Sequence, residues 1–313
     1  MKKIILTVFI AALLIVPGSL VFAYTMTDAT TEMGLIAEAL SGIFGPNLGG
    51  MSFLGEPVGY SFIPHFEVGI AGGMVLVPVD NITADTQMNL NFGSLTFFPL
   101  PAAGVHGKLS IKRLEFGAKI AGIPTLGSEK SGASVSNIIL GGKVRYNLYN
   151  FKTLAIKGGV SVGGFYEYMK GGLLLTDSNE IPIDVGDDGT VDGTLTNAAG
   201  FDTTWNANTF GGEAQANLQV LILNFFAGTR VSKSIGEVKT VVAGSSELIP
   251  NNALVTGGTE TVSISKEAKP ADIDIFIFGG AEVKIAILTA TVKAGYNVNN
   301  KNFVFDGGVT LQF

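Results

Sequence analysis

The segment that most constrains the fold is Asn302–Phe313, NFVFDGGVTLQF, where apolar and polar residues alternate. The odd-numbered positions are apolar from Phe303 to Phe313, and the even-numbered positions are mostly polar. A period of two predicts a β-strand with two chemically different faces. The strand reaches a terminal aromatic residue, Phe313. An apolar face toward lipid, a polar face toward a lumen and an aromatic anchor at the interface are typical of a membrane-spanning barrel strand.

The same alternation recurs along the chain from Tyr60 onward. Phe66, Val68 and Ile70 alternate with polar residues in the first of these segments, and Leu288–Val298 repeats the pattern near the end. The segment Met88–Phe98 is an extra strand or a folded loop. We predict an all-β fold, a transmembrane antiparallel barrel of about ten strands, within roughly eight to fourteen, with a short N-terminal helix.

The first residues have the pattern of a secretory signal peptide. Lys2 and Lys3 precede an apolar run from Ile4 to Val16, and Val21-Phe22-Ala23 offers small residues to a signal peptidase. We therefore predict a signal peptide at 1–23, a helical plug or periplasmic element at 24–58 and a barrel at 59–313. The sequence contains no cysteine, which excludes disulfides and thiolate metal ligands.

A helix is predicted from Asp28, a candidate N-cap, to Phe44, before Gly45-Pro46. Met33, Ile36, Leu40 and Phe44 form an apolar stripe with helical spacing. Two interpretations remain open: a periplasmic helix packed under the barrel mouth, and a plug helix inside the lumen.

The connections between the predicted strands fall into two groups. Short links occur at 112–113, 149–153, 221–224 and 287–288, whereas long loops are predicted at 79–101, 124–134, 169–209 and 235–271. Short periplasmic turns and long extracellular loops are the usual asymmetry of outer-membrane barrels. Together with the terminal strand, this pattern resembles the bacterial outer-membrane β-barrel proteins.

That resemblance implies an assembly signal read by the barrel-assembly machinery, at Phe303, Phe305, Val309, Leu311 and Phe313. It also implies a location in the outer membrane of a diderm bacterium, with lipid as a partner. A barrel that follows an N-terminal helix is similar, in addition, to the long-chain fatty-acid transporters of the outer membrane.

Charged and titratable residues collect on the predicted inner face. A charge at the bilayer centre costs a few kcal/mol, about 2–4, so these side chains must face protein or water. The predicted lumen-lining residues are His65, Glu67, His106, Lys108, Lys119, Lys143, Arg145, Lys157, Glu213, Arg230, Glu282, Lys284, Lys293 and Asp306, and Glu115 and Glu167 share this face. Pairing across the lumen would fill it, while a wider barrel would hold a water-filled path.

The sequence offers little specific chemistry. Asp184, Asp188 and Asp192 form part of a calcium-loop pattern, but Gly186 replaces a ligand and no bidentate glutamate follows. We therefore predict no cofactor other than a weak Ca²⁺ site in 184–193. Phe201 and Trp205 are interpreted as anchors at the outer interface or as a cover over the mouth. No catalytic constellation is present, so no enzyme activity is predicted.

The net charge of the chain limits the classes of partner that it can bind. A net charge of −6 argues against nucleic acid. Three functions remain open: a passive channel or transporter for small solutes, a surface-interaction barrel with a filled lumen, and a transporter of hydrophobic ligands. The last predicts an apolar cavity near Phe165, Phe276 and Phe278.

Overall fold

The computed structural model describes residues 37, 61–78, 97–128, 133–183, 191, 193–251, 257–270, 273–299 and 301–313. Eleven antiparallel strands lie in these ranges. They are β1 (Ser61–Pro78), β2 (Phe97–Lys112), β3 (Leu114–Ser128), β4 (Ala133–Lys152), β5 (Ile156–Ile183), β6 (Gly193–Val220), β7 (Leu223–Pro250), β8 (Gly258–Ala268), β9 (Asp274–Ile285), β10 (Leu288–Asn297) and β11 (Asn302–Gln312).

Ten of these strands close into a barrel, which confirms the predicted fold class. The ring runs from β1 through β7 in chain order and then through β9, β10 and β11 back to β1. At the closing seam Phe66 and Phe313 exchange backbone hydrogen bonds of 3.0 and 2.8 Å. The terminal aromatic residue is thus part of the ladder that completes the barrel.

The eleventh strand, β8, lies outside the ring. Strand β7 pairs with β9 through Leu223–Ser232, and its later part, Val238–Leu248, pairs with β8. Strands β5, β6 and β7 each have 28 residues, against 10 in β10. Because a strand rises about 3.3 Å per residue, β5–β8 extend far beyond the membrane-spanning part on one side.

The predicted loops at 169–209 and 235–271 are therefore wrong, since most of both ranges belongs to β5–β8. Glycine, serine and threonine there read as loop residues, but Thr203, Thr209 and Thr240 are buried on the same face as Phe201 and Trp205 in a regular ladder. Strand β4 likewise continues to Lys152, so its turn follows that residue.

The surface pattern is the reverse of a soluble protein. Ile70, Ile120 and Val292 point outward and are 65%, 60% and 64% exposed, while neighbouring Glu67, Lys119 and Lys293 are buried. A continuous apolar exterior around a polar interior is the arrangement of a barrel that spans lipid. Within the described residues no helix is long and apolar enough to cross a membrane.

Tight hairpins join strands at the end of the barrel where β1 begins and β11 ends. Lys112, Leu221 and Ala286 each open such a turn with φ near 54°. We call this end the turn side and the opposite end the loop side. Of the predicted N-terminal helix only Ala37 is described; it is helical and fully buried. Met33, Ile36, Leu40 and Phe44 lie outside the described residues, so the helix remains a prediction.

Candidate functional site

The barrel interior contains two zones. Side chains of both charges meet in the turn-side half, and we call them the charged layer. Its members are Glu67, Lys108, Glu115, Lys119, Lys143, Arg145, Glu167, Glu213, Arg230, Lys293 and Asp306. All except Asp306 are buried. Charged residues of these types are rarely buried unless they are paired.

Neighbouring strands supply the simplest ion pairs of this layer. Lys108 lies 2.5 Å from Glu67, its cross-strand partner on β1, and Gln312 Nε2 donates to the same carboxylate over 2.7 Å. Lys293 lies 2.6 Å from Asp306, its partner on β11. Directly opposed residues on antiparallel strands have Cβ atoms about 5 Å apart, so opposite charges there meet without strain.

Other pairs reach over an intervening strand. Lys143 and Arg145 on β4 both contact Glu213 on β6, at 2.9 and 2.5 Å. Arg145 also donates to Glu115 over 3.0 Å. The strand between them, β5, places Gly163 opposite both Arg145 and Glu213.

A second cluster has the same construction. The Glu167 carboxylate forms an ion pair with Lys119, with Nζ 2.8 Å from Oε1. Its other oxygen, Oε2, lies 3.0 Å from Nη2 of Arg230. Gly141 is the cross-strand partner of both Lys119 and Glu167. The guanidinium of Arg230 also stacks over the ring of Phe165, 3.5 Å from its centroid. Such a cation–π contact is strongest where water is excluded.

Inward-facing glycines also lie under large aromatic rings. A Cβ added at Gly211 would lie 2.8 Å from Phe165 Cζ, and one at Gly171 would lie 2.7 Å from Trp205 Cε2. At Gly228 the ring of Phe278 is 2.7 Å away. A side chain at any of these three positions would collide with a ring, so these glycines make room for the aromatic residues that pack against the wall.

The loop-side half of the interior is mostly apolar, although Asn137, Thr203, Thr240, Asp274, Asn297 and Asn302 are also buried there. We call its apolar side chains the apolar inner wall. It comprises Val75, Ala102, Ala121, Ile123, Ile139, Met169, Leu173, Phe201, Trp205, Ala207, Val238 and Val242, all buried. Trp205 donates through Nε1 to Asn137 Oδ1 over 3.3 Å, which satisfies the polar atom of its ring. Phe201 and Trp205 are therefore inner-wall residues of β6, and their interpretation as interface anchors is wrong.

This wall was missed from the sequence because much of it lies in ranges interpreted as loops. The signal was present, since Phe201, Thr203 and Trp205 alternate with exposed Asp202, Thr204 and Asn206. Two aromatic residues four positions apart, with only a small threonine on the same face and polar residues on the other, fit the period of two of a half-buried strand.

The other predicted site residues fall as follows. Glu282 is buried and bonds to Asn224 at 3.1 Å, while Lys284 is partly exposed, 3.6 Å from Glu282. Lys157 lies at the turn-side end of β5 and is exposed, so it occupies the rim and not the lumen. His65 and His106 are on adjacent strands but are not opposite each other. The cross-strand partner of His65 is Ser110, and that of His106 is Gly69. The outward residues Phe303, Phe305, Val309, Leu311 and Phe313 are exposed.

The structure gives no support for metal binding in the part of the chain it describes, where no group of three His, Asp or Glu could hold an ion. Asp184, Asp188 and Asp192 lie outside the described residues, so the calcium loop remains a prediction.

No protein-family model matches the chain. No curated protein matches it in sequence. Several solved structures are similar in fold, and all of those named below are outer-membrane or transport proteins by their descriptions.

The translocator domain of the autotransporter NalP from Neisseria meningitidis aligns at 10% identity over 80% of this chain and 88% of that chain, with a TM-score of 0.30. A major outer membrane protein from Thermus thermophilus aligns at 12% identity over 80% of this chain and 99% of that chain, with a TM-score of 0.28. The Ralstonia pickettii toluene transporter TbuX aligns at 13% identity over 89% of this chain and 97% of that chain, with a TM-score of 0.23. Scores this low carry no argument about function.

The class of the protein follows from its own geometry. A closed ring of ten antiparallel strands, an apolar exterior and a polar turn-side interior define a transmembrane β-barrel of the outer-membrane type.

Proposed function

We propose that this barrel lies in the outer membrane of a diderm bacterium and transports small apolar or amphiphilic molecules. The observation that carries the proposal is the two-zone interior. Water-filled lumens of porins are polar. Here the loop-side wall is mostly apolar, with a minority of buried polar residues such as Thr203 and Asn137, and the charged layer lies beneath it toward the turn side.

The chemistry of each zone supports a distinct role. The apolar inner wall offers Met169, Leu173 and Trp205 to a ligand with little hydrogen-bonding capacity, and ligand sites are mostly apolar with a few polar groups. The charged layer opposes free passage of ions, because its side chains are paired with one another across the strands. No catalytic step is part of the proposal.

Fluorescence of Trp205 tests this function directly, since it is the only tryptophan. In lipid vesicles containing the refolded protein, 1-bromooctane should quench Trp205 saturably. Leu173→Asn, which puts an amide into the apolar inner wall, should weaken that quenching by roughly tenfold, because an unpaired buried polar group costs about 1–3 kcal/mol. Leu174→Asn, on the opposite face of β5, is the matched control.

The folding of each variant is checked by heat-modifiable gel migration. Quenching that rises linearly with added 1-bromooctane, equally in all three proteins, would show partition into the bilayer alone and would overturn the proposal.

A second function, surface interaction, is favoured by one observation. Strands β5–β8 form a tall sheet whose outward side is polar and exposed, with Asp202, Asn206, Glu237 and Lys239. Deleting residues 178–198, the tip of the β5–β6 hairpin, should reduce attachment of cells to their surface if this sheet makes the contact. Unchanged attachment would remove the second function and leave the first untouched.

A further inference from the structure

A small void lies inside the charged layer, enclosed between the strands β4, β6, β7, β9 and β10. Its volume is about 10 Å³, room for one particle the size of water. Lys143, Arg145, Arg230 and Lys293 line it, together with a single carboxylate, Glu213, and the rings of Phe276 and Phe278. Among the described residues that line this void, cations thus outnumber carboxylates four to one.

The ion pairs do not cancel this excess at the void. Glu213 is shared between Lys143 and Arg145. Arg230 and Lys293 are paired with Glu167 and Asp306, and neither of these carboxylates lines the void. Attraction falls with distance, so a particle in the void is nearer to the four cations than to the carboxylates that neutralise two of them.

Arg230 supplies an independent observation. It is only 3% exposed, and within the described residues its Nε–H has no hydrogen-bond acceptor. Buried guanidinium donors are normally all used, and a buried donor left unmade costs free energy. A void lined by a residue with a spare charged donor, and by more cations than carboxylates, fits an acceptor that is itself negative.

We propose that this void is a binding site for a single halide ion, chloride under ordinary conditions. A halide is a single spherical ion, larger than water, that accepts hydrogen bonds from all directions, and the flexible lysine and arginine side chains on the lining can move outward to admit it. The stacked rings of Phe276 and Phe278, 5.9 Å apart, exclude water from one side and so strengthen the attraction. This inference is independent of which molecule the barrel transports.

The site is tested with bromide and chloride as probes. Crystals of the full protein soaked in sodium bromide should show one bromide anomalous peak between Arg230 and Lys293. In detergent solution the protein should broaden the ³⁵Cl resonance, and added bromide should reverse the broadening by competition.

Variants assign the binding to this void. Arg230→Gln should weaken chloride binding by roughly tenfold or more, because it removes a charged donor. Glu167 keeps Lys119 as its partner in this variant, so the layer stays paired. Lys143→Met is a second variant, in which Glu213 keeps Arg145. Lys157→Gln, on the exposed rim, should leave chloride binding unchanged.

Two results would overturn the proposal. Absence of a bromide peak in the void would show that only water occupies it. Equal ³⁵Cl broadening by the original protein and by folded Arg230→Gln and Lys143→Met would show that chloride binds elsewhere on the surface.

Discussion

Arg145 donates through Nε to Glu213 over 2.5 Å, although 68 residues separate them and the whole of strand β5 lies between their strands. Gly163 is the β5 residue opposite both. A Cβ at Gly163 would lie 2.8 Å from Arg145 Cγ and 2.6 Å from Val144 O. The ion pair therefore depends on a glycine whose missing side chain leaves room for the Arg145 side chain to cross β5.

The first prediction compares two adjacent glycines on opposite faces of β5. Gly163→Ala should destabilise the barrel by about 1–3 kcal/mol, since the methyl group overpacks a buried site. Gly164→Ala should be neutral, because its nearest neighbour is Gly211 O at 3.6 Å. The measurement is urea unfolding in lipid vesicles. Equal effects of the two substitutions would contradict the role given to the inward glycine.

The second prediction concerns the sharing of Glu213. Glu213→Gln leaves Lys143 and Arg145 facing a neutral amide, and breaking a buried pair from one side costs about 3–5 kcal/mol. The double variant K143M/E213Q should recover part of that loss, because Arg145 retains Glu115. Urea unfolding of both single variants and the double completes the cycle, and strict additivity would argue that Lys143 and Glu213 do not interact.

The sequence predicted the barrel well because alternation is a local property. Phe66, Val68 and Ile70 reveal their outward face without knowledge of any other strand, and a buried charge such as Lys119 must then point inward. The partners of these charges were beyond prediction. Arg145 meets Glu213 and Glu115 only because of the register of β3–β6, and register depends on pairings between distant segments.

The two-zone interior was missed for a related reason. Much of the apolar inner wall lies in the tall part of β5–β7, where Gly200, Thr203 and Ser234 read as loop residues on composition. Cross-strand pairing overrides that propensity, because every residue of these long strands has a cross-strand partner in the β5–β6 or β6–β7 ladder. Composition is thus a poorer guide than alternation in this chain.

The third prediction concerns a tight turn. Leu221 has φ of 54°, a conformation that costs an L-residue about 1–2 kcal/mol, whereas Ile222 has no positive φ. Leu221→Gly should therefore raise the unfolding free energy by up to about 1 kcal/mol, since glycine adopts this conformation freely. Ile222→Gly, the control, should lower stability by increasing the freedom of the unfolded chain. A loss of stability at both positions would count against strain at Leu221.

The fourth prediction concerns a possible plug formed by residues before the barrel. The predicted helix at 28–44 precedes β1, which begins on the turn side. If this helix occupies the lumen, deletion of 24–47 should increase single-channel conductance in a planar bilayer. Equal conductance with and without these residues would favour a periplasmic helix.

The fifth prediction asks whether the charged layer itself resists ion flow. Lys119, Glu167 and Arg230 form a cluster held by two ion pairs with N–O distances of 2.8 and 3.0 Å. The triple variant K119A/E167A/R230A removes all three charges together, so no member of the cluster is left buried without its partner. Single-channel conductance of this variant should exceed that of the original protein, because the side chains that fill the interior are shortened to methyl groups. Lys157→Ala on the rim should leave the conductance unchanged. Large, porin-like steps in the original protein would contradict the resistance attributed to the layer, since ions would then already pass it freely.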